Sequence, residues 1–154
     1  MSVLLRFFRF DRGATLVETA LVLPILLLLT FGIWTTARAW NVHNVLDHAA
    51  REAARIGATT GDIARMDTVA QGEVQASSVI WADITRCIVV IDGPNSPRPG
   101  GIGAGGGTCV GSDPTSDDRV QVTLTFTGYE LDFLFFSTTV NLEAKAIARL
   151  EPGV

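Results

Sequence analysis

The fold of this chain depends most on residues 13–37, which read GATLVETALVLPILLLLTFGIWTTA. The part from Thr19 to Ala37 contains 19 residues and no charged side chain. As a helix it would cover about 28 Å, close to the roughly 30 Å hydrocarbon core of a bilayer. The next apolar run, Leu131–Phe136, is interrupted by Asp132. We therefore predict one transmembrane helix over residues 14–40.

The charges beside this helix predict its orientation. Residues 1–13 carry three arginines, whereas acidic and basic residues are mixed after the apolar run. Because basic residues next to a first hydrophobic segment favour the cytoplasmic side, we expect the N-terminus inside and residues 41–154 outside the membrane. Trp34 and Trp40, at the other end of the run, are typical of the membrane–water boundary.

The rest of the chain has the size and composition of one small folded module. The formal net charge is −4 over 154 residues, and the excess of acid lies after residue 13. An acidic module does not attract phosphate backbones, so nucleic-acid binding is not expected. We predict a single extracytoplasmic module at residues 41–154.

Helical periodicity continues past the apolar run. Apolar residues recur at steps of three and four from Val42 to Ile56, which predicts that the membrane helix extends into the module. Residues 57–61, Gly-Ala-Thr-Thr-Gly, are typical of a helix stop. A second helix is predicted from Asp62 to about Ser78, with an interruption at Gly72.

The period then changes to that of β-strands. Residues 85–91 are rich in β-branched residues, and residues 120–127 and 138–149 alternate between apolar and polar side chains. Residues 93–118, rich in Gly, Pro, Ser and Asp, predict a surface loop. The aromatic segment 129–136 is either a core-covering connection between strands or an exposed partner-binding patch. The predicted fold class is α+β, with about three antiparallel strands.

Two cysteines, Cys87 and Cys109, lie in the part predicted to be outside the cytoplasm. Oxidation is permitted there, and a bridge would close a loop of about 20 residues, so we favour a disulfide. Two cysteines without histidines at ligand spacing do not make a four-coordinate zinc site.

Other candidate sites are weak. Three glycines of the loop satisfy G-x-G-x-x-G, but the motif does not follow a strand or open a helix; they are Gly101, Gly103 and Gly106. Two helical pairs offer two ligands each, too few for a metal site, and are His43 with Asp47 and His48 with Glu52. No activated nucleophile or phosphate loop is present. We expect no enzymatic activity, metal, cofactor or small-molecule substrate.

The order Arg12-Gly13, ATLVE at 14–18 and ALVLP at 20–24 resembles the N-termini of type IV pilin-like proteins, and most closely the TadE-like pseudopilins of the Tad (Flp) pilus system. The resemblance implies a prepilin leader at residues 1–13, removed by an inner-membrane aspartic peptidase between Gly13 and Ala14. It further implies a structural component for pilus assembly and adherence in the bacterial inner membrane, with other pilins or pseudopilins as partners.

Glu18 then acquires a physical role. A carboxylate near the centre of a membrane helix costs on the order of 2.5–3.5 kcal/mol, so an acid at the membrane end of the run requires an explanation. After cleavage, the cationic amine of Ala14 would lie one helical turn away, in this chain or an adjacent subunit, and would neutralise it. Alternatively, Glu18 reaches the headgroups beside Arg12.

Two further interpretations do not involve a pilus. A secretory signal would use Ala37-Arg38-Ala39 as its cleavage site and release a protein that begins at Trp40, although the apolar run is longer than usual signals. An uncleaved helix would instead anchor an extracytoplasmic binding module.

Overall fold

The computed structural model describes residues 8–77, 79–91, 109, 118–133 and 135–151, with side chains from Gly13 onward except that of Ala14. Within this part the chain forms two α-helices, a short 3₁₀ turn (Trp81–Asp83) and three strands. In chain order they are α1 (Phe8–Thr60), α2 (Ile63–Ala76), β1 (Ile84–Ile91), β2 (Arg119–Asp132) and β3 (Ser137–Arg149). The α+β prediction, including a long N-terminal helix, is confirmed.

Helix α1 is one continuous element of 53 residues with two different environments. Every described side chain from Thr15 to Phe31 is exposed, whereas residues from Ala39 onward repeatedly bury one face against the module. Among the described residues, α1 is the one helix that is long enough and apolar enough to cross a membrane. The same helix therefore supplies both a candidate span and part of the module's core.

The helix stop predicted at residues 57–61 lies at the last of these residues. Gly61 has a φ of 61°, and its N–H donates to the carbonyl of Gly57 at 2.8 Å. Gly57 itself is helical and buried. A Cβ there would collide with Met66 Sδ and lie 2.9 Å from Val120 Cγ1. Gly57 is thus a close-packing position and not a helix terminator.

Helix α2 runs without a break through Gly72, so the predicted interruption there is wrong. Its first turn is capped by the Asp62 carboxylate, which accepts from the N–H groups of Ala64 at 2.9 Å and Arg65 at 3.3 Å. This cap and the buried face of the helix outweigh the cost of one exposed glycine, about 1 kcal/mol.

The three strands form an antiparallel sheet in the order β1-β2-β3, which confirms the predicted sheet. The predicted end of the second strand near Thr127 is wrong, since β2 continues to Asp132. A register shift between Phe126 and Tyr129 accommodates Gly128 at a φ of 72°, and Asn141 Oδ1 accepts from the Gly128 N–H at 2.9 Å. A bulge of this kind bends a strand without ending it.

The core lies between the second half of α1, α2 and one face of the sheet. Alanines dominate the α1 surface, which lets the helix approach the strands closely. The buried cluster comprises Leu46, Ala49, Ala50, Ala53 and Ala54 of α1, Met66, Ala70 and Val74 of α2, and Ile84, Ile88, Val90, Val120, Val122, Leu124, Ala144 and Ala146 of the sheet.

Candidate functional site

The predicted processing site lies inside α1. Gly13 is helical and exposed, and among the described residues no atom lies within 4 Å of the position that a Cβ would occupy. Ala14 follows within the helix, and Glu18, also exposed, is four residues after it. Residues four apart share one face of a helix, so an amine on Ala14 would be a neighbour of the Glu18 carboxylate. The side chain of Arg12, the alternative partner of Glu18, lies outside the described residues.

The first half of α1 presents an apolar surface to its surroundings. Leu16 is 71% exposed and Leu29 is 64% exposed, and the apolar side chains between them are exposed as well. A contiguous apolar surface of this extent is stable against lipid or against other helices and not in water. The surface therefore has to be covered by a bilayer, by neighbouring subunits, or by both.

The threonines of the uncharged run at residues 19–37 donate their hydroxyls to carbonyls of the same helix. The hydroxyls of Thr19, Thr30 and Thr36 each donate to the carbonyl four residues earlier at 2.8 Å. A hydroxyl satisfied within its own helix costs less in lipid than one that has lost its water partners. The polar residues of the run are thus compatible with a span.

The C-terminal end of the apolar run contains aromatic and basic groups typical of a membrane boundary. The Arg38 guanidinium lies 5.3 Å from the centre of the Trp34 ring, and Trp40 stacks with His43 at 6.3 Å. Trp34 and Trp40 are both exposed. Indoles and snorkelling arginines at this position favour the headgroup level.

The acids considered as metal ligands lie in ion pairs at the surface, and the two histidines contact other side chains. Asp47 lies 2.8 Å from Arg51, and Glu52 lies 2.6 Å from Arg55. His48 Nδ1 lies 3.4 Å from Glu73 of α2. His43 stacks with Trp40. The hydrogen bond from Arg55 lowers the pKa of Glu52 and raises that of Arg55. In the described part of the chain, no group of three or more His, Cys, Asp or Glu residues is placed to hold a metal.

Cys87 and Cys109 form a disulfide, with their Cα atoms 5.8 Å apart. Cys87 lies on β1 next to Ile88, whose side chain belongs to the core on the opposite face of the sheet. The bond therefore attaches the segment between β1 and β2 to the sheet face away from α1. Apart from Cys109 and Asp118, the predicted loop 93–118 lies outside the described residues, and this includes Gly101, Gly103 and Gly106.

One ion pair inside the module is not predicted by the sequence. Asp67 of α2 lies 2.6 Å from Arg86 of β1, whose guanidinium also lies 5.1 Å from the centre of the Trp81 ring. Both charged side chains are largely covered, unlike the pairs along α1. No local spacing in the sequence signals this contact, because the partners come together only when α2 packs beside β1.

The comparison with known families concerns α1. Residues 13–55 match the model of the family described as TadE-like protein, and this match supports the resemblance to TadE-like proteins. The matched segment begins at Gly13 and ends within α1, and it covers less than a third of the chain. The match suggests a Tad pilus-associated protein. No curated protein and no solved structure matches the chain.

Proposed function

We propose that this chain is a minor pseudopilin, a structural and non-catalytic component for assembly of a Tad/Flp type IV pilus that mediates adherence. The observation that carries this proposal is the division of α1: an exposed apolar half begins just after Gly13, and the second half of the same helix is built into the module. The segment matched by the TadE-like family runs from Gly13 through the exposed half and into the packed half. A subunit of this shape is held by its helix and presents its module outside the membrane.

The proposal includes processing between Gly13 and Ala14 by a prepilin peptidase. Gly13 is exposed and no described side chain crowds it, so a protease in the membrane can approach the bond once the helix opens locally. Cleavage creates a cationic terminus one turn from Glu18, and each charge lowers the cost of keeping the other at the lipid boundary. The arginines of residues 1–13 favour a cytoplasmic N-terminus in the bacterial inner membrane.

The two alternatives fit α1 less well. Ala39, the last residue of the Ala-Arg-Ala signal site, is buried inside the continuous helix, so cleavage there would cut through a packed segment. An uncleaved anchor would leave Glu18 to reach the headgroups beside Arg12, without the α-amine that cleavage creates one turn away. The assembly proposal leaves Ala39 inside an uncut helix and pairs Glu18 with the new α-amine of Ala14.

The decisive experiment measures the N-terminus of the full chain expressed in membranes with its prepilin peptidase. We expect intact mass and N-terminal sequencing to show a chain that begins at Ala14. Gly13→Ala should leave the precursor uncut, whereas the matched control Gly72→Ala, at an exposed helical glycine of α2, should be cut normally. An uncut wild-type chain refutes the processing step, and a start at Trp40 supports secretion instead.

The same strains test the role of Glu18. Glu18→Gln keeps the shape of the side chain and removes its charge, so we expect membrane insertion to persist and surface pili to be lost. Thr19→Ala, one residue along the same exposed helix, serves as the control and should assemble. Normal piliation with Glu18→Gln would contradict the proposed charge pairing.

A further inference from the structure

The end of the β2–β3 hairpin carries three aromatic side chains. Phe133 and Phe136 lie at the turn, where the N–H of Phe133 donates to the carbonyl of Phe136 at 2.8 Å and their rings stack at 4.7 Å. Phe135 lies between them in the chain. We call Phe133, Phe135 and Phe136 the aromatic tip. It corresponds to the turn of the segment that the sequence predicted as a connection or an exposed patch.

The aromatic tip lies against the candidate span and not against the core of the module. Phe133 Cε1 lies 3.9 Å from the position that a Cβ would occupy on Gly32. The tip and α1 together line a groove of about 660 Å³, whose other walls include Leu28, Leu29 and Ile33. A Cβ on Gly32 would make an ordinary van der Waals contact at this distance, so the ring of Phe133 lies close against the helix surface.

The position of Gly32 defines the depth of the tip. Gly32 lies six residues before Arg38, the first charged residue after the apolar run, which corresponds to about 9 Å along a helix. Apolar faces of interfacial segments are buried about 5–10 Å into the boundary between headgroups and acyl chains. If α1 crosses a bilayer, the tip is therefore at the level of that boundary.

The exposure of the tip has the pattern expected for contact with lipid. Phe135 is 73% exposed and Phe136 is 59% exposed, and Phe136 lines the groove together with apolar side chains of α1. The charged residues Glu130 and Asp132 stop just short of the turn and are exposed. A boundary location suits both groups, since the carboxylates remain at the headgroups while the rings enter the upper acyl chains.

We propose that the aromatic tip inserts into the leaflet from which α1 emerges, with the upper acyl chains of that leaflet as its binding partner. The module then has two attachments to the membrane, its own helix and the hairpin, and two attachments restrict its rotation about the helix axis. The inserted part is the turn alone, because a longer stretch of strand would bring unpaired edge groups and carboxylates into hydrocarbon. This inference depends on α1 spanning the bilayer and not on a role in pilus assembly.

The test uses the full chain in vesicles of phosphatidylethanolamine and phosphatidylglycerol. Phe135→Cys and, separately, Phe136→Cys receive an environment-sensitive fluorophore while the native disulfide remains closed. Two reference positions are labelled in the same way: Leu21→Cys in the span and Glu143→Cys on the exposed face of β3. Each vesicle sample is then titrated with aqueous iodide and, in parallel, prepared with lipid that carries a spin label near the top of its acyl chains.

We expect the labels at 135 and 136 to resemble the label at 21. Their emission should shift to shorter wavelength, quenching by iodide should be lost, and the spin-labelled lipid should quench them, whereas the label at 143 should show the reverse. Iodide quenching at 135 and 136 equal to that at 143 overturns the proposal. Protection from iodide without quenching by lipid, lost when the protein is diluted in lipid, also overturns it and identifies a second copy of the chain as the occupant.

Discussion

At the scale of single residues, two helical glycines have opposite roles. Gly57 is buried where α1 meets Met66 and Val120, and the lack of a Cβ is what allows this contact. Gly72, in the middle of α2, faces open space, and nothing in its surroundings requires a glycine. The sequence alone presents both as interruptions of helical patterns, and only the packing distinguishes them.

This difference predicts opposite effects of the same substitution. Gly57→Ala gains helix propensity but overpacks the contact with Met66 and Val120, so we expect the free energy of unfolding to fall by about 1–2 kcal/mol. Gly72→Ala has only the gain and should raise it by about 0.5–1 kcal/mol. Denaturant unfolding of the detergent-solubilised chain, followed by its β-sheet signal, measures both. If both variants change the free energy of unfolding equally and in the same direction, the close approach of Met66 and Val120 to Gly57 does not destabilise Gly57→Ala.

At the scale of elements, the bulge in β2 determines where the hairpin leads. The register shift after Phe126 and the φ of 72° at Gly128 lie between the part of the hairpin over the core and the part that reaches the aromatic tip. Bulges increase local twist and redirect a strand. The bulge thus connects a choice of backbone conformation to the contact between the tip and Gly32.

The bulge can be tested at the glycine itself. A side chain in the left-handed region costs about 1–2 kcal/mol, so Gly128→Ala should destabilise the module by that amount and increase amide exchange from Tyr129 to Asp132. Thr127→Ala, at the neighbouring exposed residue, should change stability by less than about 0.5 kcal/mol. If Gly128→Ala leaves both stability and exchange unchanged, the strand does not need this conformation.

At the scale of the whole molecule, two parts of different solubility share one helix. The exposed half of α1 requires a lipid or protein environment, and the other half is covered by α2 and the sheet. Because the helix is continuous between them, the position of the span in a membrane constrains the position of the module. The disulfide stabilises the opposite side of the sheet, where it attaches the long segment between β1 and β2.

The contribution of the disulfide is measurable. The cysteines are separated by 22 residues in the sequence, and closing a loop of that size stabilises a fold by about 3 kcal/mol through the entropy of the unfolded chain. We expect the double variant Cys87→Ser/Cys109→Ser to lose that amount, and the oxidised wild type to lose the same amount on reduction. The variant should not respond to reductant, and a variant as stable as the oxidised wild type would contradict the prediction.

Local pattern in the sequence was enough to identify the apolar run, the continuation of α1 into the module, the α+β class, the three strands and the resemblance carried by residues 12–24. Hydrophobic length and period are properties of neighbouring residues, so they can be read without the fold. Four other features became visible only in the folded chain: the role of Gly57, the pairing of Asp67 with Arg86, the continuation of β2 past Gly128 and the contact of the aromatic tip with Gly32. Each of these depends on groups that are distant in the chain, and their energies arise only when the elements pack together.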